Sequence, residues 1–206
     1  MGIVLGRTVL AVFIALRTVI GFVWRVLVCE PFFKAYCTSY GRNLHTGEYL
    51  HWVQGQGELV VGDNVMVDGK CGFSFAARFV EKPRLSIGNH TTIGHGSSFT
   101  VGKSIQIGDE CRIATNVRMF DSPGHPLDPE ERRKGMPVSA DGVRPIVVER
   151  NVWIGADSVI FPGVSVGEGS IIATCSVVTT NVEPFTMVAG NPARRIYKLK
   201  VPPREA

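Results

Sequence analysis

His125 is the side chain in this sequence best suited to move a proton during catalysis. It lies in a polar stretch, residues 120–146, in which proline and glycine are frequent, so we expect a loop that protrudes from the rest of the chain. Pro123 and Pro126 disfavour the helical conformation for the residues that precede them, which makes this part of the loop extended and stiff. An imidazole with a pKa near neutrality can remove a proton from a hydroxyl. The alternative interpretation is a histidine that only stabilises the loop.

The elements that must hold this loop are indicated by apolar residues that recur every six positions. A helix of period 3.6 cannot keep every sixth residue on one face, whereas a short strand followed by a turn can. Three such sides close a triangular coil, and stacked coils pair their strands in parallel. A β-sandwich would instead show a period of two and Asn-Gly turns, and neither dominates here. The apolar series are Val148, Ile154, Ile160, Val166, Ile172 and Val178; Ile87, Ile93 and Phe99; Ile107, Ile113 and Met119; and Val61, Val67 and Phe73.

The pattern divides the chain into four parts. Residues 1–28 are strongly apolar, and residues 29–57 are expected to be a connecting segment. The hexads predict a parallel β-helix over residues 58–183, interrupted by the loop 120–146, and residues 184–206 form a C-terminal tail. The five cysteines include no C-x-x-C pair, which indicates neither a disulfide framework nor a metal cage and favours a reducing cytosol.

A resemblance to the hexapeptide-repeat acetyltransferases extends over about residues 58 to 200 and is carried by two stretches, NVWIGADSVIFPGVSVGEGSIIATCSVVTTNV and VAGNPARRIYKL. It implies an all-β fold, a left-handed parallel β-helix with a protruding catalytic loop, to which the apolar residues 1–28 add an N-terminal helix. The loop sequence HPLDPEERRKG is similar to that of maltose and galactoside acetyltransferases, which implies that His125 is the catalytic base. The implied reaction transfers an acetyl group from acetyl-CoA to a sugar hydroxyl, without a metal. The acceptor would be a saccharide, or a polysaccharide or lipid-linked glycan precursor.

The resemblance also implies where the substrates bind. In this family the acetyl-CoA groove lies between neighbouring subunits, which implies a homotrimer. Ser97 and Asp121 are candidate contacts for the acceptor, although the asparagine that the family uses near Ser97 is absent. Asp121, Asp128 or a backbone carbonyl could orient the His125 ring. The implied acetyl-CoA residues are Trp153, Gly155 and Ala156 beside the thioester, Thr174 and Thr179 further along, and Arg194, Arg195 and Lys198 at the phosphates.

Two other functions are compatible with a β-helix. His90 and His95 are five residues apart and could join His125 as zinc ligands, as in carbonic anhydrases built on the same helix. In those enzymes the close pair follows the lone histidine, whereas here it precedes it, which favours simple corner positions for His90 and His95. The second alternative is a non-catalytic scaffold, which would share the hexads but would not bind acetyl-CoA.

Residues 1–28 are expected to form a helix that contacts a membrane surface. Arg7, Arg17 and Arg25 interrupt the apolar run, so no uncharged stretch reaches the length of about 18 residues that a membrane span requires. The three arginines fall within an arc of roughly 80° on a helical wheel, as in a helix that lies in the interface. The alternatives are a helix packed on a partner subunit or on the coil, and an inserted helix with snorkelling arginines.

These features predict a cytoplasmic protein, peripheral on the inner face of the cytoplasmic membrane. The three N-terminal arginines contribute most of the net charge of +4, and the rest of the chain shows no basic surface for nucleic acid. Acetyl-CoA is a cytosolic donor, and no small-x-small cleavage site follows the apolar part, which disfavours a secretory signal.

Overall fold

The computed structural model describes residues 2–201 and shows a three-sided parallel β-helix preceded by a long helical segment. Each turn of the chain contributes one short strand to each of three faces, and equivalent strands stack along the axis. The predicted parallel β-helix is therefore confirmed. The chain is not strictly all-β, because helices extend over most of its first 36 residues.

The helical segment consists of α1 (Gly2–Trp24), a π-helical turn (Arg25–Cys29) and α2 (Glu30–Tyr36). The first face is formed by β1 (Ser39–Tyr40), β4 (Glu58–Val61), β7 (Arg84–Ile87), β10 (Ser104–Ile107), β13 (Ile146–Val148) and β16 (Ser165–Val166). The second face is formed by β2 (His45–Thr46), β5 (Met66–Val67), β8 (Thr92–Ile93), β11 (Arg112–Ile113), β14 (Trp153–Ile154), β17 (Ile171–Ile172), β19 (Thr186–Gly190) and β20 (Ala193–Lys198). The third face is formed by β3 (Trp52–Gln54), β6 (Gly72–Phe75), β9 (Ser98–Val101), β12 (Arg118–Phe120), β15 (Val159–Ile160) and β18 (Val177–Val178). The loop between β12 and β13 contains α3 (Pro129–Arg133) and a 3₁₀ turn (Ala140–Gly142).

The six-residue series forms the core, as the sequence predicts. Ile87 is paired with Val61 in the coil before it and with Ile107 in the coil after it, and all three are buried. Phe73 and Phe99 stack in the same way, with ring centroids 5.5 Å apart and ring planes inclined by 17°. Full burial of an apolar side chain of this size contributes about 1.5–3 kcal/mol, so the continuous ladder is the main source of stability.

The corners of the coil explain why small residues follow the apolar positions. His90 adopts a left-handed backbone conformation with φ 57°, and its N–H donates to the carbonyl of Asp63 in the preceding coil at 2.8 Å. At the next corner Gly94 packs so closely on the following coil that a Cβ would lie 2.6 Å from the carbonyl carbon of Ala114. A side chain at position 94 would push these two coils apart.

Chain length varies at one corner of the triangle. From the second coil onward, the apolar positions of the first, second and third faces keep the six-residue interval, as at Ile107, Ile113 and Met119. Between the third face and the first, the connection has no fixed length, and the loops 76–83 and 121–145 protrude there. Both long loops therefore leave the coil along the same edge.

The N-terminal end of the coil is closed by α2, whose Phe33 is buried in the core. The first strands lie within the stretch 29–57, which was expected to be a connecting segment. Here Thr46 and Val53 occupy the interior row and pair with the first members of the apolar ladder, whereas Tyr40 has the equivalent register on the first face but is half-exposed. Because α2 rather than another coil covers this end, the row does not need to be uniformly aliphatic, and the hexad signal is weak.

The C-terminal tail continues the second face. Its first strand, β19, is parallel to β17, and β20 then folds back antiparallel to β19. The predicted tail 184–206 is thus a hairpin that closes the end of the coil, and residues 202–206 lie outside the described part of the chain.

Candidate active site

The loop that carries His125 is fastened to the coil at its base by Asp121. The buried Asp121 carboxylate accepts hydrogen bonds from the backbone N–H groups of Gly102, Lys103 and Ser104 at 2.6, 2.7 and 2.8 Å. Its backbone carbonyl accepts from the N–H of Arg144, at the far end of the loop, at 2.8 Å. Asp121 therefore ties both ends of the loop to each other and to the preceding coil.

This geometry disagrees with the prediction that Asp121 contacts the acceptor. Both carboxylate oxygens are engaged by backbone donors, and the residue is fully buried. Burial raises the pKa of the Asp121 carboxyl, and the three N–H donors act in the opposite direction. A carboxylate enclosed in this way can position the loop but cannot reach a ligand in solvent.

The loop also packs against its neighbours on the same edge. Val143 is buried, and its side chain lies beside Gly102, where a Cβ would approach it to 2.8 Å. Phe79, from the shorter loop of the second coil, lies on the same glycine, with a corresponding distance of 3.0 Å. The Lys103 ammonium donates to the carbonyl of Ala140 at 3.1 Å. The two loops thus support one another, and the loop that carries His125 does not stand alone in solvent.

His125 is exposed on this supported loop, close to the start of α3. Asp128 caps α3, because its Oδ1 accepts from the N–H groups of Glu130 and Glu131 at 2.8 and 2.9 Å. The Arg132 guanidinium donates to the carbonyl of Pro126, next to the histidine, at 2.9 Å. Of the three candidates for orienting the ring, Asp121 and Asp128 are engaged elsewhere. The imidazole is held by a pinned backbone and remains accessible to a substrate.

Arg132 is a residue whose role the sequence interpretation missed. The signal was present in the segment DPEER, where an aspartate precedes proline and two glutamates in the pattern of a helix N-terminus. A helix that begins at Pro129 returns the side chain of Arg132 toward the turn that precedes it. Its contact with the Pro126 carbonyl therefore follows from one turn of helical geometry.

Ser97 is also placed differently from its prediction. It is fully buried, and its Oγ donates to the carbonyl of Ala114 in the next coil at 3.1 Å. Ser158 at the same corner and Ser170 at the preceding corner occupy the equivalent hexad position and donate in the same way to carbonyls one coil further on, at 3.0 and 2.8 Å. Ser97 is thus a repeated structural position of the coil and is not available to an acceptor.

Four of the predicted acetyl-CoA residues lie on the second face or at the corner that follows it. Trp153 points outward from β14 and is 55% exposed, which is unusual for a residue of this type that only fills space. Gly155 stacks directly on the next coil, where a Cβ would lie 2.5 Å from the N–H nitrogen of Thr174. The carbonyl of Ala156 accepts from the N–H of Cys175 at 2.8 Å. At this corner the small residues leave the backbone of the stacked coils at the surface.

Thr179 and His125 lie at a different corner, between the third face and the first. Thr179 follows β18 and is exposed, in line with Phe161 and Phe120 below it. A whole face of the coil separates this corner from the one that carries Ala156. One protomer therefore does not bring all the predicted residues together.

The predicted phosphate contacts differ in their availability. Arg194 and Arg195 are exposed on β20 and line a cavity of about 280 Å³ at the C-terminal end of the coil. Lys198 turns away, because its ammonium donates to the carbonyl of Pro184 at 2.8 Å and lies 3.6 Å from the Glu183 carboxylate. The Arg194 guanidinium donates one N–H group to the carbonyl of Ala193 at 2.9 Å and, together with Arg195, can still contact an anion, whereas the charge of Lys198 is already engaged.

The histidines of the zinc alternative lie at three different corners. His90 is at the corner between the first and second faces, and His95 is at the next corner, where its Nδ1 accepts from the N–H of Lys70 at 3.2 Å. His125 belongs to the third corner. Within residues 2–201, no group of three potential metal ligands is found.

Comparison with known proteins agrees with this architecture. The family described as bacterial transferase hexapeptide (six repeats) matches residues 145–180, and that described as hexapeptide repeat of succinyl-transferase matches residues 84–118. Galactoside O-acetyltransferase of Escherichia coli (strain K12) is 33% identical over 139 residues, which are 68% of this chain and 63% of that protein. Three further curated acetyltransferases are matched over 44%, 55% and 52% of their length, so the chain spans about half to two thirds of these relatives.

Two solved structures extend the comparison. The hexapeptide-repeat acetyltransferase VCA0836 of Vibrio cholerae, complexed with acetyl coenzyme A, is 30% identical, with 73% of this chain and 72% of that chain covered and a TM-score of 0.53. The polySia-specific acetyltransferase NeuO is 26% identical, with 81% and 77% covered and a TM-score of 0.59. The similarity implies the left-handed sense of the coil. On the strength of the repeats, the shared coil and these relatives, the chain belongs to the hexapeptide-repeat acetyltransferases.

Proposed function

We propose that the chain is an acetyl-CoA-dependent O-acetyltransferase that acts on a sugar hydroxyl of a saccharide, or of a polysaccharide or lipid-linked glycan precursor. The observation that carries the proposal is the exposed imidazole of His125 on a loop pinned by Asp121. A fixed and accessible base is what transfer to a hydroxyl requires. The similarity to a galactoside O-acetyltransferase and to a polySia-specific acetyltransferase supports a sugar as the acceptor.

In the proposed mechanism His125 accepts the proton of the acceptor hydroxyl as its oxygen attacks the thioester carbonyl. Backbone N–H groups beside the site stabilise the oxyanion that forms. When the carbon–sulfur bond breaks, the imidazolium returns the proton to the departing thiolate. The acetyl group passes directly to the acceptor oxygen, so no covalent acyl-enzyme and no metal take part.

Acetyl-CoA would bind along the corner that contains Gly155, Ala156 and Thr174. Extended backbone at such a corner offers the N–H and C=O groups that a pantetheine chain requires. Arg194 and Arg195 lie at the end of the coil beside the cavity and would contact the phosphates.

The donor corner and the histidine loop lie on different edges of one protomer, which supports a homotrimer with the groove between subunits. In such an assembly Trp153 and Ala156 of one chain would face His125 of its neighbour. Light scattering combined with activity measured on dilution tests this proposal. A monomer with full activity would exclude the shared site.

Replacement of His125 tests the function directly. We expect His125→Ala to bind acetyl-CoA with unchanged affinity and to lose about 10² to 10⁴ in turnover of an oligosaccharide acceptor. His95→Ala is the matched control, because His95 is also exposed and should retain full turnover. Loss of activity in both variants would favour the zinc alternative, and a wild-type chain that does not bind acetyl-CoA would favour the scaffold.

We further propose that α1 attaches the protein to the inner face of the cytoplasmic membrane. Most of its apolar side chains are exposed, and the helical stretch Val4–Tyr36 contains an 18-residue window with a mean hydropathy of 2.0 and is long enough to cross a bilayer. Arg25 pairs with Glu30 at 2.6 Å, so Arg7 and Arg17 are the arginines that remain for anionic headgroups.

Co-sedimentation with phosphatidylglycerol vesicles tests the attachment. The wild-type chain should sediment with the vesicles, and a variant with Leu10→Glu and Ile14→Glu should remain in solution, because both side chains are exposed on α1. Equal sedimentation of the two proteins would contradict attachment through this helix.

A further inference from the structure

Exposed aromatic side chains are concentrated at the N-terminal end of the molecule. Tyr36, Tyr40, Tyr49 and Trp52 are 51%, 51%, 57% and 60% exposed. They include three of the four tyrosines of the chain. Large aromatic rings are costly to leave in water, and such a cluster indicates a contact surface.

These side chains surround the coil at one level. Tyr40 belongs to the first face, Tyr49 lies at the corner after the second face, and Trp52 points outward from the third face. All three belong to the first turn of the coil, and Tyr36 ends the helix that closes it. The exposed ends of the rings can therefore meet one flat boundary together.

The outward positions above Trp52 are different in character. The residues that pair with it along the third face are Gly72, Ser98 and Arg118 in the next three coils. In this row the aromatic side chain is thus confined to the first coil and does not continue as a stripe along the axis. A partner that packed along the side of the coil would not be matched by this arrangement.

The apolar helix and the first coil are joined rigidly. The helix continues from α1 through the π-helical turn into α2 without an interruption. Phe33 of α2 is buried in the coil, and the buried Glu30 carboxylate lies 2.6 Å from Arg25 and 3.1 Å from His45 of β2. Insertion of α1 into a bilayer would therefore carry the first coil to its surface.

We propose that the first coil rests in the headgroup region of the phospholipid bilayer, with Tyr36, Tyr40, Tyr49 and Trp52 as an aromatic belt. This proposal rests on the membrane attachment proposed above and adds the surface that makes the contact. Tyrosine and tryptophan favour this depth because their rings are apolar and their O–H or N–H groups can bond to water and headgroups. A bilayer is favoured over a second copy of the chain, because exposed apolar side chains cover most of the circumference of α1 outside the arc of its arginines, and one partner helix would cover only one side.

Such docking fixes the height of the catalytic loop. His125 leaves the coil after β12 in the fourth turn, three strand spacings beyond the first. Parallel strands are about 4.8 Å apart, so the loop stands about 14 Å from the aromatic belt. An acceptor hydroxyl on a glycan that extends from a lipid can reach this height, whereas the headgroup itself cannot.

The three tryptophans of the chain provide the test. One variant keeps only Trp52 (Trp24→Phe with Trp153→Phe), and its matched control keeps only Trp153 (Trp24→Phe with Trp52→Phe). Both are mixed as full chains with phosphatidylcholine and phosphatidylglycerol vesicles that carry bromine either near the headgroups or deep in the acyl chains. We expect Trp52 emission to move to shorter wavelength and to be quenched more strongly by shallow than by deep bromine. Trp153, in the fifth coil, should be quenched by neither.

The outcomes separate this inference from the attachment on which it rests. Vesicle-bound protein in which Trp52 is quenched no more than Trp153 would overturn the docking of the first coil and leave attachment by α1 intact. Stronger quenching by deep bromine would also overturn it, because the belt would then lie within the acyl chains. Protein that does not sediment with the vesicles would overturn both proposals.

Discussion

The substitution Asp121→Asn probes the fastening of the catalytic loop with almost no change in size. Asparagine replaces one carboxylate oxygen by an NH₂ group, which would face a backbone N–H donor of Gly102 or of Lys103 and Ser104. At least one charge-assisted hydrogen bond is lost, and a buried N–H is left without an acceptor. A hydrogen bond to a charged group contributes about 1.5–3 kcal/mol, so we expect a loss of about 2–4 kcal/mol. For a chain of this length the corresponding fall in Tm is about 4–16 °C.

Urea unfolding and turnover, both measured in detergent, check this prediction. Turnover per folded molecule should fall by up to about 10²-fold, because His125 is displaced when the loop base loosens. Asp141→Asn is the control, since Asp141 is exposed in the same loop and should change stability by less than about 0.5 kcal/mol. Unchanged stability in Asp121→Asn would refute the structural reasoning. Reduced stability with normal turnover per folded molecule would refute the positioning role.

Three further outcomes are expected. Burial lowers the pKa of His51 from 6.5 to about 4. Between these two pH values the unfolded chain binds a proton that the folded chain excludes, so the free energy of unfolding should fall by about 3 kcal/mol as the pH drops from 6.5 to 4. His51→Asn should remove most of this dependence in urea titrations from pH 7 to 4, and an unaltered profile would assign it to other groups. Gly94→Ala should destabilise by about 1–3 kcal/mol, whereas Gly72→Ala, whose Cβ would meet its nearest neighbour at 3.7 Å, should be tolerated in the same thermal scans. Alkylation of the exposed Cys175, followed by mass spectrometry, should slow when acetyl-CoA binds, and equal rates would contradict the proposed donor corner.

The coil itself was predictable from the sequence because its core is periodic. Positions such as Ile107, Ile113 and Met119 repeat one environment, and a single rule therefore places all of them. The first coil escaped this rule. At the positions equivalent to the ladder it has the half-exposed Tyr40 and the polar Thr46, and its end is covered by α2 rather than by another coil, so the apolar repeat is interrupted where the fold continues.

For the candidate site, the structure agrees with the sequence only in the exposure of two predicted residues. His125 and Trp153 are both exposed, as their predicted roles require. Ser97 was assigned to the acceptor although it occupies the small-residue position of its hexad, which the coil uses for an internal hydrogen bond. Asp121 was predicted to contact the acceptor because it lies at the start of the loop. Its carboxylate instead accepts hydrogen bonds from three backbone N–H groups of the preceding coil. Those donors are distant in sequence, and no local pattern reveals their direction.

The variable corner between the third and first faces has a consequence for how this fold can change over evolutionary time. Insertions at that edge, such as residues 76–83 and 121–145, leave the interior rows in register, because the other two corners keep their interval from the second coil onward. Lengthening such a loop costs little, about 0.6 kcal/mol for each doubling of its length. Natural selection can therefore lengthen, shorten or exchange the segment that meets the acceptor while the stacked interior is inherited unchanged. The corner between the third and first faces can therefore diverge in sequence and length, while the other two corners keep the spacing that the stacked interior requires.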